Sequence, residues 1–395
     1  MTKTTFYNFT LFDGTSDKET NNSWFTINDE TGKILDIGTG QKPETENNID
    51  LQHQFVMPGF INVHCHITSH PDQFNGGGDE SETESATFAV QSLRKLLKSG
   101  VTFVRECGTR YDVDIKLKRM MDKGTLTHVP NLLPSGRAFS MTGGHGDGPH
   151  SAYLVDSPDE MRKSVRQNLK NGSKIIKMMA TGGVMTPNDF MEDPQLSTEE
   201  MKAGVTEAHH KGLKAAAHAE GNPGIQNAIG AGVDSIEHGF YVNESEAKEM
   251  SEKGIFLTPT LMAELAIPQD GTGILPDWEV AKAQNALDDT YKNLRRAFEM
   301  GVRFTCGTDA GTPFNGFDRT PQEFELLTRV GMTPAQAYQC SSLNSAELCG
   351  IEKERGTLEV GKYADFQVLK DDPLLNIKAV QQINKQVYLN GKREF

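Results

Sequence analysis

The chain has 395 residues, with 40 Lys and Arg against 54 Asp and Glu, for a formal charge of −14. An acidic average surface repels polyanions, which argues against nucleic-acid or anionic-membrane partners but leaves the charge of a small substrate open. A hydrophobic content of 36% with 38 glycines fits a soluble, turn-rich globular protein with room for one large domain and a smaller companion.

The first residues lack a basic stretch followed by an apolar one, and no run approaches the ~18 apolar residues a membrane helix needs. The five cysteines are Cys65, Cys107, Cys306, Cys340 and Cys349. Their odd number and irregular spacing, without a C-x-x-C, argue against a disulfide framework and make a reducing cytoplasm the expected location. Cys65 lies between two histidines, but alternation along a strand turns it to the other face, so it reads as a packing residue.

Taken in chain order, residues 6–12, 24–27 and 33–37 read as short strands, the last after a Thr31-Gly32 turn. The tail mirrors them, with strands at 364–369 and 387–389 and a hairpin signal at Asn390-Gly391. Residues 1–57 and 356–395 together are expected to build one small β-sandwich domain. Between them, strand-like runs at 60–64, 101–106, 129–134, 174–179, 213–218, 233–238, 255–260 and 302–307 alternate with amphipathic helical stretches. Ser157-Pro158-Asp159-Glu160 caps one such helix and Gly172 ends it, while a second capping box spans 197–200 and Gly212 follows its helix. Strand–helix alternation indicates a parallel sheet, and eight units suit a (β/α)8 barrel, which runs ~250 residues or more. Residues 58–355 are therefore expected to form an α/β, TIM-like barrel. A doubly wound open sheet is the alternative, but no Gly-x-Gly-x-x-Gly follows a first strand.

Candidate ligands fall at the C-terminal ends of these runs: His64 and His66, Lys177, His218, His238, and Asp309 just after the eighth. Barrel active sites lie on this face. His-x-His on a strand puts both imidazoles on one side, and imidazoles with a carboxylate suit zinc or a similar transition metal. Taken singly, such a histidine is ordinarily a packing residue, a strand-end lysine snorkels, and an Asp after Gly-Thr caps a helix. Six residues at equivalent barrel positions are not easily explained that way.

The motif at 56–66, Val-Met-Pro-Gly-Phe-Ile-Asn-Val-His-Cys-His, resembles the opening Pro-Gly-Phe-Ile-Asp-x-His-x-His of the amidohydrolase superfamily. Gly307-Thr308-Asp309 resembles its closing Gly-Thr-Asp, and Ala364-Asp365-Phe366 its C-terminal sheet segment, so the likeness covers nearly the whole chain. Asn62 stands where the family has Asp, on the His64 and His66 face by alternation but deeper, and is not one of the family's ligands. The resemblance implies two divalent ions, zinc first, with manganese or iron as alternatives, bridged by a carboxylated Lys177. One ion would take His64, His66, Lys177 and Asp309, the other Lys177, His218 and His238. An ammonium would repel a cation, whereas a neutral buried amine can take up carbon dioxide to become an anionic bridge. Lys174 competes for this role from the opposite strand face; Lys177 is preferred because Thr181-Gly182-Gly183 follows it as in the family. A water shared by two ions is acidified from 15.7 towards ~7 and can attack a carbonyl, with Asp309 accepting its proton and passing it to the leaving amine.

The loops at 136–146 and 177–183, with His238-Gly239-Phe240-Tyr241, resemble the imidazolonepropionase-related branch that includes bacterial Xaa-Pro dipeptidases and arginine/lysine carboxypeptidases. That likeness implies that His145 and Tyr241 contact the tetrahedral oxygen or substrate carboxylate, and that Arg137 pairs with a carboxylate. The bland readings are a rim packing residue for Tyr241 and a salt-bridge partner for Arg137. Residues 313–317 depart from the branch, lacking its His-Gly. The expected activity is hydrolysis of an amide in a small peptide-like substrate: a dipeptide, Xaa-Pro or N-acyl amino acid. A cyclic, urea-type or xenobiotic amide is the second reading, and a metal-binding scaffold on a decayed barrel the non-enzymatic one. A homo-oligomer fits the family, although no sequence patch demands it.

Overall fold

The computed structural model describes residues 2–72, 80–184 and 189–395. The chain begins with β1 (Lys3–Leu11), β2 (Thr20–Asn28), β3 (Ile34–Thr39), β4 (Asn47–Asp50) and β5 (Phe55–Pro58). In β1, Phe6 and Phe9 are three apart yet both buried, which plain alternation forbids. The β1–β2 register shifts between Tyr7 and Phe9, and Asn8 has φ 62°. This bulge resets the pleat and turns both rings inward.

The middle of the chain supplies β6 (Phe60–Cys65), β7 (Val101–Glu106), β8 (Asn131–Leu133), β9 (Ala138–Ser140), β10 (Ala152–Leu154), β11 (Ile175–Met179), β12 (Lys214–Ala219), β13 (Ser235–His238), β14 (Phe256–Thr258) and β15 (Arg303–Phe304). They form two parallel sheets, β6-β7-β8 and β10-β9-β11-β12-β13-β14-β15. Backbone hydrogen bonds join the two: Val63 N to Cys306 O and His66 N to Ala310 O, both 2.9 Å, on one side, and Lys174 N to Pro134 O, 2.8 Å, on the other. Each of the eight runs read from the sequence contains a strand. β9 and β10 lie between the third and fourth runs, outside the eight read from the sequence.

Helices follow the strands where the capping chemistry dictates. Ser157 accepts from Glu160 N with Pro158 at the first turn, and Gly172 ends that helix at φ 118°. Reciprocal capping boxes start the helices Glu82–Lys98, Thr198–His209 and Glu244–Lys253. Between strands and helices, Val104, Ile176, Met178, Ala217, Ile236 and Leu257 pack against Leu93, Val165, Met201 and Ile229 in one core. Ile176 and Met178 enter this core, so Lys177, the residue between them, faces the other side of its strand. Among the described residues, no helix is long and apolar enough to cross a membrane.

The tail adds β16 (Phe366–Leu369), β17 (Gln386–Leu389) and β18 (Lys392–Arg393) to the first sheet, with β16 antiparallel to β5. Asn390 and Gly391, at φ 51° and 73°, make the two-residue turn expected of that pair. Lys33 bridges Tyr363, and the sheet carries an aromatic core. There Phe366 stacks on Tyr388 at 4.2 Å and meets Phe6 and Phe25 edge-on at 5.1 Å each.

Glu323, buried on the helix Thr320–Val330, accepts from Leu261 N and Met262 N at 2.9 and 2.8 Å. Burial outweighs these bonds and pushes its carboxyl up to about 8. Between the ordinary value and that one, the native state keeps a proton that the unfolded chain has lost. Stability from this group is thus fully present below about pH 4.5 and is lost as pH rises towards 8, by at most about 1.4 kcal/mol per unit. Urea midpoints between about pH 5 and 8 should fall less steeply for Glu323→Gln than for the wild type. Parallel profiles would refute this.

Candidate active site and metal centre

His64 and His66 come from the end of β6, Lys177 from β11, His218 from β12 and His238 from β13, and Asp309 follows β15. The structure brings all six together. Asp309 Oδ1 lies 3.1 Å from His66 Nε2 and 3.3 Å from His64 Nε2, and Lys177 Nζ lies 3.4 Å from His64 Nε2. The ring of His238 is centred 5.0 Å from His64 and 4.6 Å from His218. Lys177 is 1% exposed, whereas Lys174 is exposed, so only Lys177 is available to this cluster.

The backbone bends sharply to achieve this. His238 and Asp309 have φ 72° and 57°, a left-handed conformation that costs a non-glycine residue roughly 1–3 kcal/mol and persists only where its surroundings enforce it. Gly307 is required for another reason: a Cβ there would lie 2.6 Å from His64 Cβ.

Each imidazole has one nitrogen engaged by the protein. His64 Nδ1 donates to Glu237 Oε2 at 2.8 Å, and His66 Nδ1 to Gly108 O at 3.0 Å. His218 Nε2 donates to Gly182 O at 2.9 Å, and His238 Nδ1 lies 2.7 Å from Thr260 Oγ1. Carbonyls and carboxylates only accept, so for His64, His66 and His218 these partners fix the hydrogen on the outer nitrogen and leave a lone pair on the inner one; the Thr260 hydroxyl can pair with either form of His238. Glu237 is itself held by Arg105 Nη2 at 2.7 Å, and Arg105 Nη1 reaches Ser235 Oγ at 3.0 Å. Burial, reinforced by Lys177 and neighbouring histidines, pushes His64 and His218 well below the usual imidazole range, and burial does the same for His238 beside His64. Burial alone would raise the Asp309 carboxyl. His64, His66 and Lys177 outweigh it and hold Asp309 well below the usual carboxylate range.

This donor set fits a metal. Asp309 Oδ1 is buried with no hydrogen-bond partner among the described residues, facing the Nε2 lone pairs of His64 and His66. Electron-rich atoms that converge without a proton between them call for a cation. His64, His238 and Asp309 offer donor atoms within 4.8 Å of one another, as do His218, Glu220 and His238. A third grouping of this kind, His64 with Cys107 and Glu237, is unsuited. Burial pushes the Cys107 thiol up to about 12, and Arg105 already occupies Glu237.

His145 stacks on His218, with centroids 4.3 Å apart and rings 12° from parallel, and its Nδ1 lies 2.9 Å from Asp189 Oδ2. Gly183 leaves room for that ring, since a Cβ would lie 2.5 Å from His145 Cε1. Tyr241 sits half-buried among Glu192, Glu264 and Glu220; burial and these carboxylates push its hydroxyl up to about 12. Arg137 is tied to Asp112 Oδ1 at 3.2 Å and lies over Tyr153 at 4.0 Å. Cys65 is wholly buried in the main core, as a packing residue should be. Asn62 differs from the expected geometry. The β6–β7 register shifts between Asn62 and Cys65, and the Asn62 amide donates to Thr308 and Thr320 hydroxyls at 2.7 and 2.9 Å.

Sequence reasoning missed Glu237, Arg105, Asp189, Glu220 and Glu264. Glu237 could have been suspected as a buried-strand carboxylate beside His238. Burial, with Asp309 adding to it, pushes Glu264 up to about 8.

A cluster of histidines, a lysine and an aspartate that could hold a metal ion, at the C-terminal ends of parallel strands, has the make-up of a hydrolase centre of the amidohydrolase kind. Residues 55–393 match the Amidohydrolase family, and the chain belongs to it. It is 31% identical over 359 residues to ochratoxinase of Aspergillus niger, covering 83% of this chain and 72% of that protein. It is 23% identical to imidazolonepropionase of Fusobacterium nucleatum subsp. nucleatum, over 95% and 92% of the two chains. A solved structure of a Xaa-Pro dipeptidase with methionine bound in its active site superposes with a TM-score of 0.90 at 30% identity, covering 99% of each chain. The protein is thus a hydrolase that acts on amide C–N bonds.

Glu237→Gln should lower zinc affinity by about 10–100-fold by loosening the orientation of His64. Competition with a chromogenic chelator measures this directly. Unchanged affinity would show that the His64–Glu237 bond is dispensable.

Proposed function

We propose that this chain is a binuclear metal hydrolase that cleaves the amide bond of a small peptide-like substrate: a dipeptide, Xaa-Pro or an N-acyl amino acid. The reading includes a closed (β/α)8 barrel with a sandwich-like terminal domain, supported by the hydrogen bonds that join the two parallel sheets on both sides. The observation that carries it is the orphaned Asp309 Oδ1 between the His64 and His66 nitrogens, with Lys177 beside them.

His64, His66, Lys177 and Asp309 would hold one ion, and Lys177, His218 and His238 the other, with zinc the first choice and manganese or iron as alternatives. Lys177 would serve as a carboxylated, anionic bridge, because its ammonium form would repel both ions. The chemistry such ions supply is carbonyl polarisation and acidification of water at neutral pH. Asp309, kept anionic by its neighbours, takes the proton of the attacking water and returns it to the leaving amine. His145, held by Asp189 through Nδ1, would contact the oxygen that becomes anionic during attack. The Tyr241 hydroxyl keeps its proton at neutral pH and is the second donor. Arg137, oriented by Asp112, meets a substrate carboxylate.

A xenobiotic amide is the second reading, favoured by the 31% identity to ochratoxinase. In both cases the partner is a small molecule, in keeping with the charge of −14. A screen of dipeptides, Xaa-Pro peptides and N-acyl amino acids with zinc or manganese should show turnover. Asp309→Asn should then lose about 10²–10⁴-fold in kcat. Full activity in that variant would contradict the proton transfer assigned here.

A further inference from the structure

His238 differs from the other histidines of the cluster in its outer partner. Glu237, Gly108 O and Gly182 O can only accept, whereas the Thr260 hydroxyl, 2.7 Å from His238 Nδ1, can donate or accept. Such a hydroxyl orients an imidazole only while nothing else engages it. Thr260 stands where something ordinarily would: it is the cap residue of the helix Leu261–Asp270, and a threonine there normally accepts from an amide of the first turn.

It does not do so here. Ser81, Ser157, Ser197, Asn243 and Thr333 cap their helices from extended backbone, each accepting from the amide three residues on. Thr260 has φ 46° and ψ 43° and makes no side-chain bond to its helix; among the described residues its Oγ1 pairs with His238 alone. For a β-branched residue this left-handed backbone is an outlier that persists only where the surroundings enforce it. The helix amides are met from elsewhere. Glu323, wholly buried and 62 residues from Leu261, accepts from Leu261 N and Met262 N, one on each carboxyl oxygen. An acid suits a helix N-terminus, but burial works against this one. A distant buried acid thus does what the local residue could do, and the result is a hydroxyl left for His238.

We propose that Glu323 is a positioning residue for the metal centre: by capping this helix in place of Thr260, it commits the Thr260 hydroxyl to His238 and so tightens the ion that His238 holds. The proposal rests on the reading of His238 as a ligand. Without Glu323, the amides of the first turn compete for Thr260 Oγ1, and the backbone is drawn towards the extended cap found elsewhere in the chain.

Zinc titration against a chromogenic chelator tests this, with His238→Ala marking the ion concerned and circular dichroism checking each fold. Thr260→Val, which keeps the branched shape, should weaken that ion by about 10–100-fold, and Thr260→Ser by under about threefold. Glu323→Gln leaves one accepting oxygen for two amides. It should weaken the same ion by at least about threefold, but by under about twofold once Thr260 is valine, because the two residues act through one contact. Full affinity in Thr260→Val, or a Glu323→Gln loss undiminished in the Thr260→Val background, overturns the proposal. Serine as damaging as valine does so too, since packing rather than the hydroxyl would then be at work. A wild type that takes up fewer than two ions would sink the two-ion reading. If it holds one that is lost in His238→Ala and follows the pattern above, this inference stands; otherwise it falls.

Discussion

The site depends on one constraint: each imidazole of the cluster spends one nitrogen on the protein and keeps the other for the centre. Glu237, Gly108 O, Gly182 O and Thr260 make those outer contacts. Remove them and the rings are free to rotate or change tautomer, and the inner lone pairs no longer converge. The most demanding of the four is Glu237, a fully buried carboxylate. It is tolerable only because Arg105 and Ser235 meet it. Breaking such a buried pair by removing one partner typically costs about 3–5 kcal/mol, since a charge is left stranded. Stability and the geometry of the histidine cluster are therefore coupled through the same residues.

The strands act as a scaffold for that constraint. They are short, and the chain departs from extended geometry at or just beyond their ends: His238, which ends β13, and Thr260 and Asp309, which follow β14 and β15, all have positive φ. Parallel pairing from β11 through β15 sets the heights of Lys177, His218 and His238, with Met179 opposite His218 and Ala219 opposite His238. Asn315 then closes the loop after Asp309, its amide donating to the carbonyls of Thr308 and Asp309 at 2.6 and 3.0 Å. The Asn62 bonds to Thr308 and Thr320 secure the same loop from below. The strained Asp309 is thereby held from two directions.

Much of this was legible in the sequence, for physical reasons. Apolar runs alternating with capped helices announce a parallel α/β core, and polar residues at the ends of such runs share a face. Lys177 and Lys174 could be placed on opposite strand faces, and the first is buried while the second is exposed. What escaped the sequence lies where alternation fails. Glu237 should oppose His238 on its strand, but the left-handed turn at His238 brings both to the same interior. The register shift after Asn62 likewise frees its amide for Thr320. Glu264 and Asp189 sit on segments beyond the strand ends, where no period constrains a side chain. Arg105 looked like any charged residue in a strand, since its partner Glu237 lies 132 residues away.

The central claim is that these six residues form a two-ion centre bridged by Lys177. Metal analysis of protein purified without chelator, wild type beside Lys177→Met, tests it most directly. The account predicts about two equivalents of zinc or a similar divalent metal in the wild type, and at most about one in the variant, with the fold retained by circular dichroism. A folded wild type free of metal after growth in zinc or manganese, or a Lys177→Met variant that still holds about two ions, would contradict it.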